Sequence, residues 1–398
     1  MNVEAIAEVQ GWYGPVSISE RVVQRIWRDG DFARDRLQLE NGAPVEILDP
    51  GRWNHHEGPD FIDAELRIDG KRVVGSVEVH IYERDWNQHG HGSDPRYNTV
   101  ALHVVLFRPP AIERRPVLCQ DGHEPECLCL LDHLDKDLEA YAAEQALQQL
   151  TDPNGSDLRD WMLAQEWGRR LERCREGARA RWRQKQAFAL QRLKTLGWEQ
   201  ACHQTTLEVL GYRRNRAVMS DLAQYLSIDD MAGRDVDALM ALGQDRWRLS
   251  GQRPNNHPRK RLEQYLALLR ANRRWPEVLL RWAKGLPSNA QMATEPTRRV
   301  RHQFAFSAAR ESLSRHVLEG VLSGPRLDTL VVDAILPLAA AYTRESELYG
   351  WWYHWSGGDI PESVNEFLKQ IGIYTNTQPV CNGLNQGALE LLIRDGSS

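Results

Sequence analysis

The run from Gly58 to Val105, GPDFIDAELRIDGKRVVGSVEVHIYERDWNQHGHGSDPRYNTVALHVV, constrains what this chain can fold into more than any other part of it. Asp60 opens an alternating segment in which Ile62, Ala64, Leu66 and Ile68 share one face and Asp63, Glu65 and Arg67 the other. Asp69-Gly70 is a hairpin signal, Val73 to Ile81 reads as the partner strand, and Val100 to Phe107 is apolar enough to be central in a sheet. Period 2 puts Glu78 and His80 on one face, with Val74 and Ser76. A turn at Asp69-Gly70 brings the Asp60 end beside the Glu78 end, with Asp60 expected on the side of Ile62 and Ala64. Two carboxylates then converge at the rim of a sheet. Like charges that close destabilise the fold unless a cation neutralises them, so the pattern points to bound Mg²⁺ or Mn²⁺.

Around this core the chain reads as two regions. A first helix is expected from Ser17, in capping-box spacing with Glu20, to about Glu40, followed by a strand at Val45 to Leu48. From about Leu134 the pattern turns helical. One long helix is expected over Asp157 to Leu196, with others at Thr206 to Leu226, Arg259 to Ala271, Trp275 to Trp282 and Leu330 to Thr343. The division is placed at 1–135 for an α/β domain and 136–398 for a helical one. The first carries 14 basic against 24 acidic residues, leaving 36 against 31 in the second. An acidic half suits a carboxylate metal site and a mildly basic half could hold a polyanion, although ordinary solvated surfaces give the same counts. The beginning of the chain lacks signal-peptide character, no apolar stretch is long enough to span a bilayer, and the six cysteines have no framework spacing. A soluble cytoplasmic protein is the expectation.

The order helix, strand, Asp-bearing strand, Glu-x-His strand, short irregular stretch, strand resembles the PD-(D/E)XK nuclease superfamily. Pro59-Asp60 matches its PD element and Glu78-Val79-His80 its (D/E)XK element. The resemblance covers about residues 17–107 and implies a mixed sheet flanked by helices. It also implies Asp60 and Glu78 as metal ligands, the Val79 carbonyl as a third, and Glu20 as an additional acid. His80 departs from the pattern, because the superfamily usually has Lys there. A neutral imidazole cannot replace an ammonium, although it can serve as a base or a ligand. The longer phrase GPDF…GSVEVH…DWNQHGH…Y…LHVV resembles an uncharacterised bacterial family known only as a domain of unknown function. That wider likeness extends to Leu210-Gly-Tyr-Arg-Arg-Asn215, Arg253-Pro-Asn-Asn-His-Pro258 and Asn385-Gln-Gly387.

Eight of the thirteen histidines fall between residues 55 and 133, so the group around the motif needs its own account. His89-Gly-His91 can place two imidazoles on a metal or near a phosphate, or it can be a polar loop bonded to Asp85, Asp94 or backbone. His103, inside an apolar strand, reads as a satisfied core histidine. Cys119, His123, Cys127 and Cys129 form either a zinc knot of unusual spacing or, more simply, a hairpin with buried thiols. In the helical half, Arg173 belongs to an Arg-studded helix. Arg253, Asn255, Arg259 and Arg261 surround a Pro-rich turn suited to phosphate. Trp247, Tyr265 and Trp275 are core candidates that could also stack on bases, and the run Trp351 to Trp355 reads first as a packed interdomain cluster. The expected function is a metal-dependent nuclease acting on DNA or RNA. A catalytically degenerate nucleic-acid-binding module and a zinc hydrolase of another substrate class are the alternatives.

Overall fold

The computed structural model describes residues 20–34, 37–54, 56–107, 116–134, 141, 157–212, 215–249, 256–287, 289, 291–344, 348–358, 362–375 and 379–395. The chain divides into two compact units, one over Ser17–Gln145 and the other holding Ala146–Ser398. Among the described residues no helix is long and apolar enough to cross a membrane.

The first unit is a mixed sheet with a helix against it. Helix α1 (Glu20–Asp29) buries Val22, Val23, Ile26 and Trp27, a stripe at helical spacing. It ends at Gly30, whose φ of 62° is left-handed, about ten residues before the expected end at Glu40. The expected Ser17 cap lies outside the described residues. Strands β1 (Val45–Asp49), β2 (Arg52–Trp53), β3 (Phe61–Ile68), β4 (Lys71–Tyr82), β5 (Val100–Phe107) and β6 (Glu126–Cys129) form a sheet of order β1-β3-β4-β5-β6, with β2 also on β3. The β1/β3 and β3/β4 pairs are antiparallel, and β4/β5 and β5/β6 are parallel.

One irregularity in β3 decides where Asp60 points. From the Asp69-Gly70 turn the register runs Ile68↔Lys71 to Ala64↔Gly75, but beyond it Phe61 faces Val77. One extra residue has entered β3 at Ile62-Asp63, where Asp63 takes a φ of 60°. A regular hairpin would set Asp60 opposite Val79, on the core face with Ala64 and Leu66. The bulge moves it opposite Glu78 instead. The expectation that Asp60 shares its side with Ala64 is therefore corrected, because a one-residue slip exchanges the faces of a strand, while Ile62 keeps its alternation with Phe61.

Strand β4 is buried on both faces from Ser76 to His80. Central strands with parallel neighbours are ordinarily continuous apolar runs. Glu78 and His80 interrupt this one, and His103 interrupts its neighbour β5 at the position paired with Glu78. A parallel pair needs a crossover, and residues 83–99 supply it with the one-turn helix α2 (Asp85–Gln88) and two 3-10 turns. That crossover leaves the carboxyl end of β4 and carries His89 and His91 back over it.

The second unit is helical. Its longest helix, α3 (Trp167–Gly211), turns sharply at Gly197 (φ 74°, ψ 176°), and Asp157–Ala164 is a separate helix before it. The single helix expected over Asp157–Leu196 is thus two helices, and the stretch expected over Thr206–Leu226 is shared between α3 and α4 (Arg216–Tyr225). Helix α5 (Asn382–Asp395) crosses α3 so closely that a Cβ on Gly177 would come within 2.6 Å of the Gly387 carbonyl oxygen. The aromatic run is interior to this unit rather than an interdomain cluster. The indoles of Trp351, Trp352 and Trp355 donate to Pro287 O, Val332 O and Asp328 Oδ1, and Trp351 stacks on Phe306. Trp247, Tyr265 and Trp275 are buried as well.

Candidate functional site

Glu78, His80 and His103 share one face of the β4/β5 pair, and the bulge adds Asp60 to it. The two acids brace each other through the backbone. The Asp60 N–H donates to Glu78 Oε2 at 2.9 Å, and the Val79 N–H donates to Asp60 Oδ2 at 3.0 Å. From α1, the Gln24 amide donates to Asp60 Oδ1 at 2.7 Å. Glu20 lies one turn before Gln24, on the same side of the helix. Both oxygens of Asp60 are thus held in place, while Glu78 Oε1 faces the imidazoles.

Those imidazoles form a compact group. His80 Nε2 lies 3.2 Å from His89 Nδ1, 3.3 Å from His91 Nε2 and 3.5 Å from Glu78 Oε1. His91 Nε2 is 3.2 Å from the same Glu78 oxygen. On its other side, His80 Nδ1 meets His103 Nε2 at 2.8 Å. His80, His91 and His103 are buried and His89 is exposed. Trp86 and Tyr97 wall the group, with Tyr97 stacked on His91 at a ring separation of 3.9 Å and Trp86 against His91 and His103. Gly90, at a φ of 76°, turns the chain between His89 and His91. The loop acids are engaged elsewhere: Asp85 accepts the Tyr82 N–H at the end of β4, and Asp94 binds Arg96. The loop histidines meet the strand histidine instead.

Burial dominates the electrostatics. It pushes the Glu78 carboxyl up to about 8 and, with the Glu78 charge adding to it, the Asp60 carboxyl up to about 7. Glu20 is raised to about 7, first by burial, with His89 opposing and Asp60, Asp85 and Glu78 reinforcing. Burial drives His80 down to about 2 and His103 to about 3, neighbouring imidazoles adding to the shift, and it lowers His91. Three acids sit beside imidazoles that resist protonation, and among the described residues no Lys or Arg bonds to Asp60 or Glu78. A divalent cation would relieve the acids and use the lone pairs of the rings.

Sequence reasoning reached Asp60, Glu78, His80, His89, His91 and Glu20, and the fold gathers all six in this region. Val79, whose carbonyl was expected as a third ligand, donates its N–H to Asp60. Gln24 and the part played by His103 were not expected. The spacing of Gln24 from Glu20, and a histidine in register with Glu78, were the available signals. The cysteine group is not a zinc knot: His123 Nδ1 meets Asp121, its Nε2 meets Val100 O, and the Cys119 and Cys129 thiols donate to Tyr97 O and Leu106 O. The chain does turn tightly between Cys119 and His123, whose backbones bond at 2.8 Å, and Cys127 and Cys129 follow on β6, which runs parallel to β5.

The phosphate-binding candidates of the helical unit are placed differently from one another. Arg173 is exposed, near Glu176 and over the Trp161 ring. Arg259 pairs with Asp237 at 2.6 Å. Arg261 is buried and its guanidinium donates to Gln264 and Asn256, which suits a structural role. Arg253 and Asn255 lie outside the described residues.

Comparison with curated proteins and with solved structures returns no match. The family model described as a protein of unknown function, DUF2851, matches residues 20–242, more than half of the chain. This chain belongs to that family.

Proposed function

We propose that the N-terminal unit is a metal-dependent phosphodiesterase acting on DNA or RNA, built on a PD-(D/E)XK-like core. The observation that carries this reading is the bulge at Ile62-Asp63, which sets Asp60 opposite Glu78 on a face lined by imidazoles. Two acids clamped together by each other's backbone neighbours are costly unless a cation is held there. When bound, the cation supplies polarisation of a phosphate oxygen and a lowered pKa for an attacking water.

The residues of the chain divide the remaining work. Glu78 and Asp60 provide the negative charge, with the Gln24 amide and the Val79 N–H fixing the orientation of Asp60. Glu20, at about 7, has the proton affinity that suits a general base near neutral pH. His80 stays neutral, so it cannot act as the charged Lys of the superfamily pattern, and it offers a lone pair instead. Of the helical-unit residues expected to meet a phosphate backbone, Arg173 is exposed and Arg259 would exchange its Asp237 partner for the phosphate.

Cleavage of labelled single- and double-stranded DNA and RNA, with Mg²⁺, Mn²⁺ or Zn²⁺ and beside a Glu78→Ala control, tests the reading. Metal-dependent cleavage that vanishes in the variant supports it and names the substrate. Binding without turnover under any metal would replace it with a degenerate binding module, in which a neutral His80 accounts for the lost chemistry.

A further inference from the structure

Resting on the cation site proposed above, we infer that the ion is a transition metal of the zinc type, held by His80 Nε2, His91 Nε2 and Glu78 Oε1 with His89 Nδ1 completing the set, and that His103 is the positioning residue that orients His80. Magnesium, which prefers oxygen ligands and water, is not the ion for such a donor set.

The inner triangle is the first support. His80 Nε2, His91 Nε2 and Glu78 Oε1 are separated by 3.3, 3.2 and 3.5 Å. Ligands at about 2.0–2.1 Å from a tetrahedral zinc stand about 3.3 Å apart, so the triangle has the size of one face of that tetrahedron. His89 Nδ1, 3.2 Å from His80 Nε2, lies with the other two ring nitrogens in a group that fits within 4.8 Å, on the solvent side.

Hydrogen counting is the second. Each ring nitrogen in the triangle carries one hydrogen or one lone pair. If both carry hydrogens, the two N–H groups oppose each other. If both are bare, two lone pairs do. If only one carries a hydrogen, it cannot serve both the other nitrogen and Glu78 Oε1 with full geometry. A proton on Oε1 serves one ring, while the two nitrogens still share a hydrogen already given to the acid. No placement of hydrogens satisfies all three contacts together, whereas one cation does.

His103 is the third. A ring that gives its Nε2 lone pair to a metal must carry its hydrogen on Nδ1 and needs an acceptor there. His103 Nε2 is that acceptor, at 2.8 Å. Accepting through Nε2 leaves the hydrogen of His103 on Nδ1, which has no hydrogen-bond partner and is fully buried. A buried N–H left unsatisfied is a cost that a merely structural histidine would avoid, and it is explained if the orientation of His80 is what the position maintains.

Titration of the chelator-treated full-length protein with Co²⁺, followed by visible absorption, tests this. The expected result is one Co²⁺ per chain, with the intense absorption of a four-coordinate ion, displaced by stoichiometric Zn²⁺ and not by a thousandfold excess of Mg²⁺. His91→Gln abolishes the band. His89→Ala, at an exposed position, keeps the fold and shifts the band while weakening affinity. His103→Leu lowers affinity about 10–100-fold with all four ligands retained, and His103→Gln, which restores an acceptor, recovers part of it. A folded wild-type chain that binds no Co²⁺, or whose Co²⁺ is displaced by Mg²⁺ or is insensitive to His89→Ala, overturns the inference. Co²⁺ binding as described without nucleic-acid cleavage would sink the phosphodiesterase reading alone. Mg²⁺-supported cleavage untouched by the His89 and His91 changes would sink the zinc-type site alone.

Discussion

The two units bury ionisable groups in opposite ways. In the helical unit, two buried charges meet their opposites: Lys185 with Asp333 at 2.9 Å and Asp328 with Arg310 at 2.7 Å. In the sheet unit, acids are buried beside acids and imidazoles beside imidazoles, and neither set neutralises the other. A pair that satisfies itself belongs to the architecture. A group that does not is a candidate for an outside ligand, and here the proposed ligand is a cation.

The largest effect that sharpens this contrast is on activity. Glu78→Gln keeps the shape and an acceptor for the Asp60 N–H but removes the charge. It should lower metal-dependent cleavage by at least about 10²–10³-fold, measured as kcat/KM, because the acid holds the ion. In the helical unit the matching change acts on stability. Asp333→Ala strands a buried Lys185 ammonium without that carboxylate and should cost about 3–5 kcal/mol in chemical denaturation. Indifference to Asp333→Ala would break the comparison from its other side.

Next in size is pH dependence. Glu78 and Asp60 are raised in the fold to about 8 and about 7, so the folded state holds protons that the unfolded chain has released. Their contribution is present at low pH and is lost as pH rises through the folded values. His80 and His103 are depressed, so their contribution is present above about 6.5 and is lost as pH falls towards 3. Above about pH 6.5 only the acids act. Between pH 6.5 and 8 Glu78 and Asp60 should account for a loss on the order of 2 kcal/mol in the metal-free protein, and saturating Zn²⁺ or Mn²⁺ should remove that share of the slope and leave the share of the buried Glu208 in the helical unit. Urea midpoints at the two pH values, with and without metal, measure it. The smallest effect belongs to the exposed Arg259–Asp237 pair: Arg259→Ala should change stability by no more than about 0.5 kcal/mol in the same assay.

What the sequence made legible follows the same division. The hairpin at Asp69-Gly70, the strand Val100–Phe107, and the Asp60, Glu78 and His80 triad were readable because alternation, a turn dipeptide and a polar interruption are local signals. The bulge was not. FIDAEL alternates without a break, and no glycine marks Asp63, an aspartate that takes the left-handed conformation its short polar side chain tolerates. The closeness of Asp60 and Glu78 was therefore expected through a face assignment that the bulge overturns. The end of α1 carried its own mark in Gly30, while His103 could only be understood through the β4/β5 register, a long-range pairing. In the helical unit, the expected helix ran through the break before Trp167, which does not interrupt the apolar spacing, and it stopped at Leu196, beside the turn at Gly197, although the helix resumes beyond that turn to Gly211.

The most direct test compares the unfolding midpoints of chelator-treated wild type and Glu78→Gln at pH 8, then repeats both with metal. A binding site made of unneutralised acids predicts that Glu78→Gln raises the metal-free midpoint and abolishes the stabilisation that metal gives the wild type. A lower metal-free midpoint together with an unchanged metal response would mean that Glu78 is a structural acid, and would contradict the account.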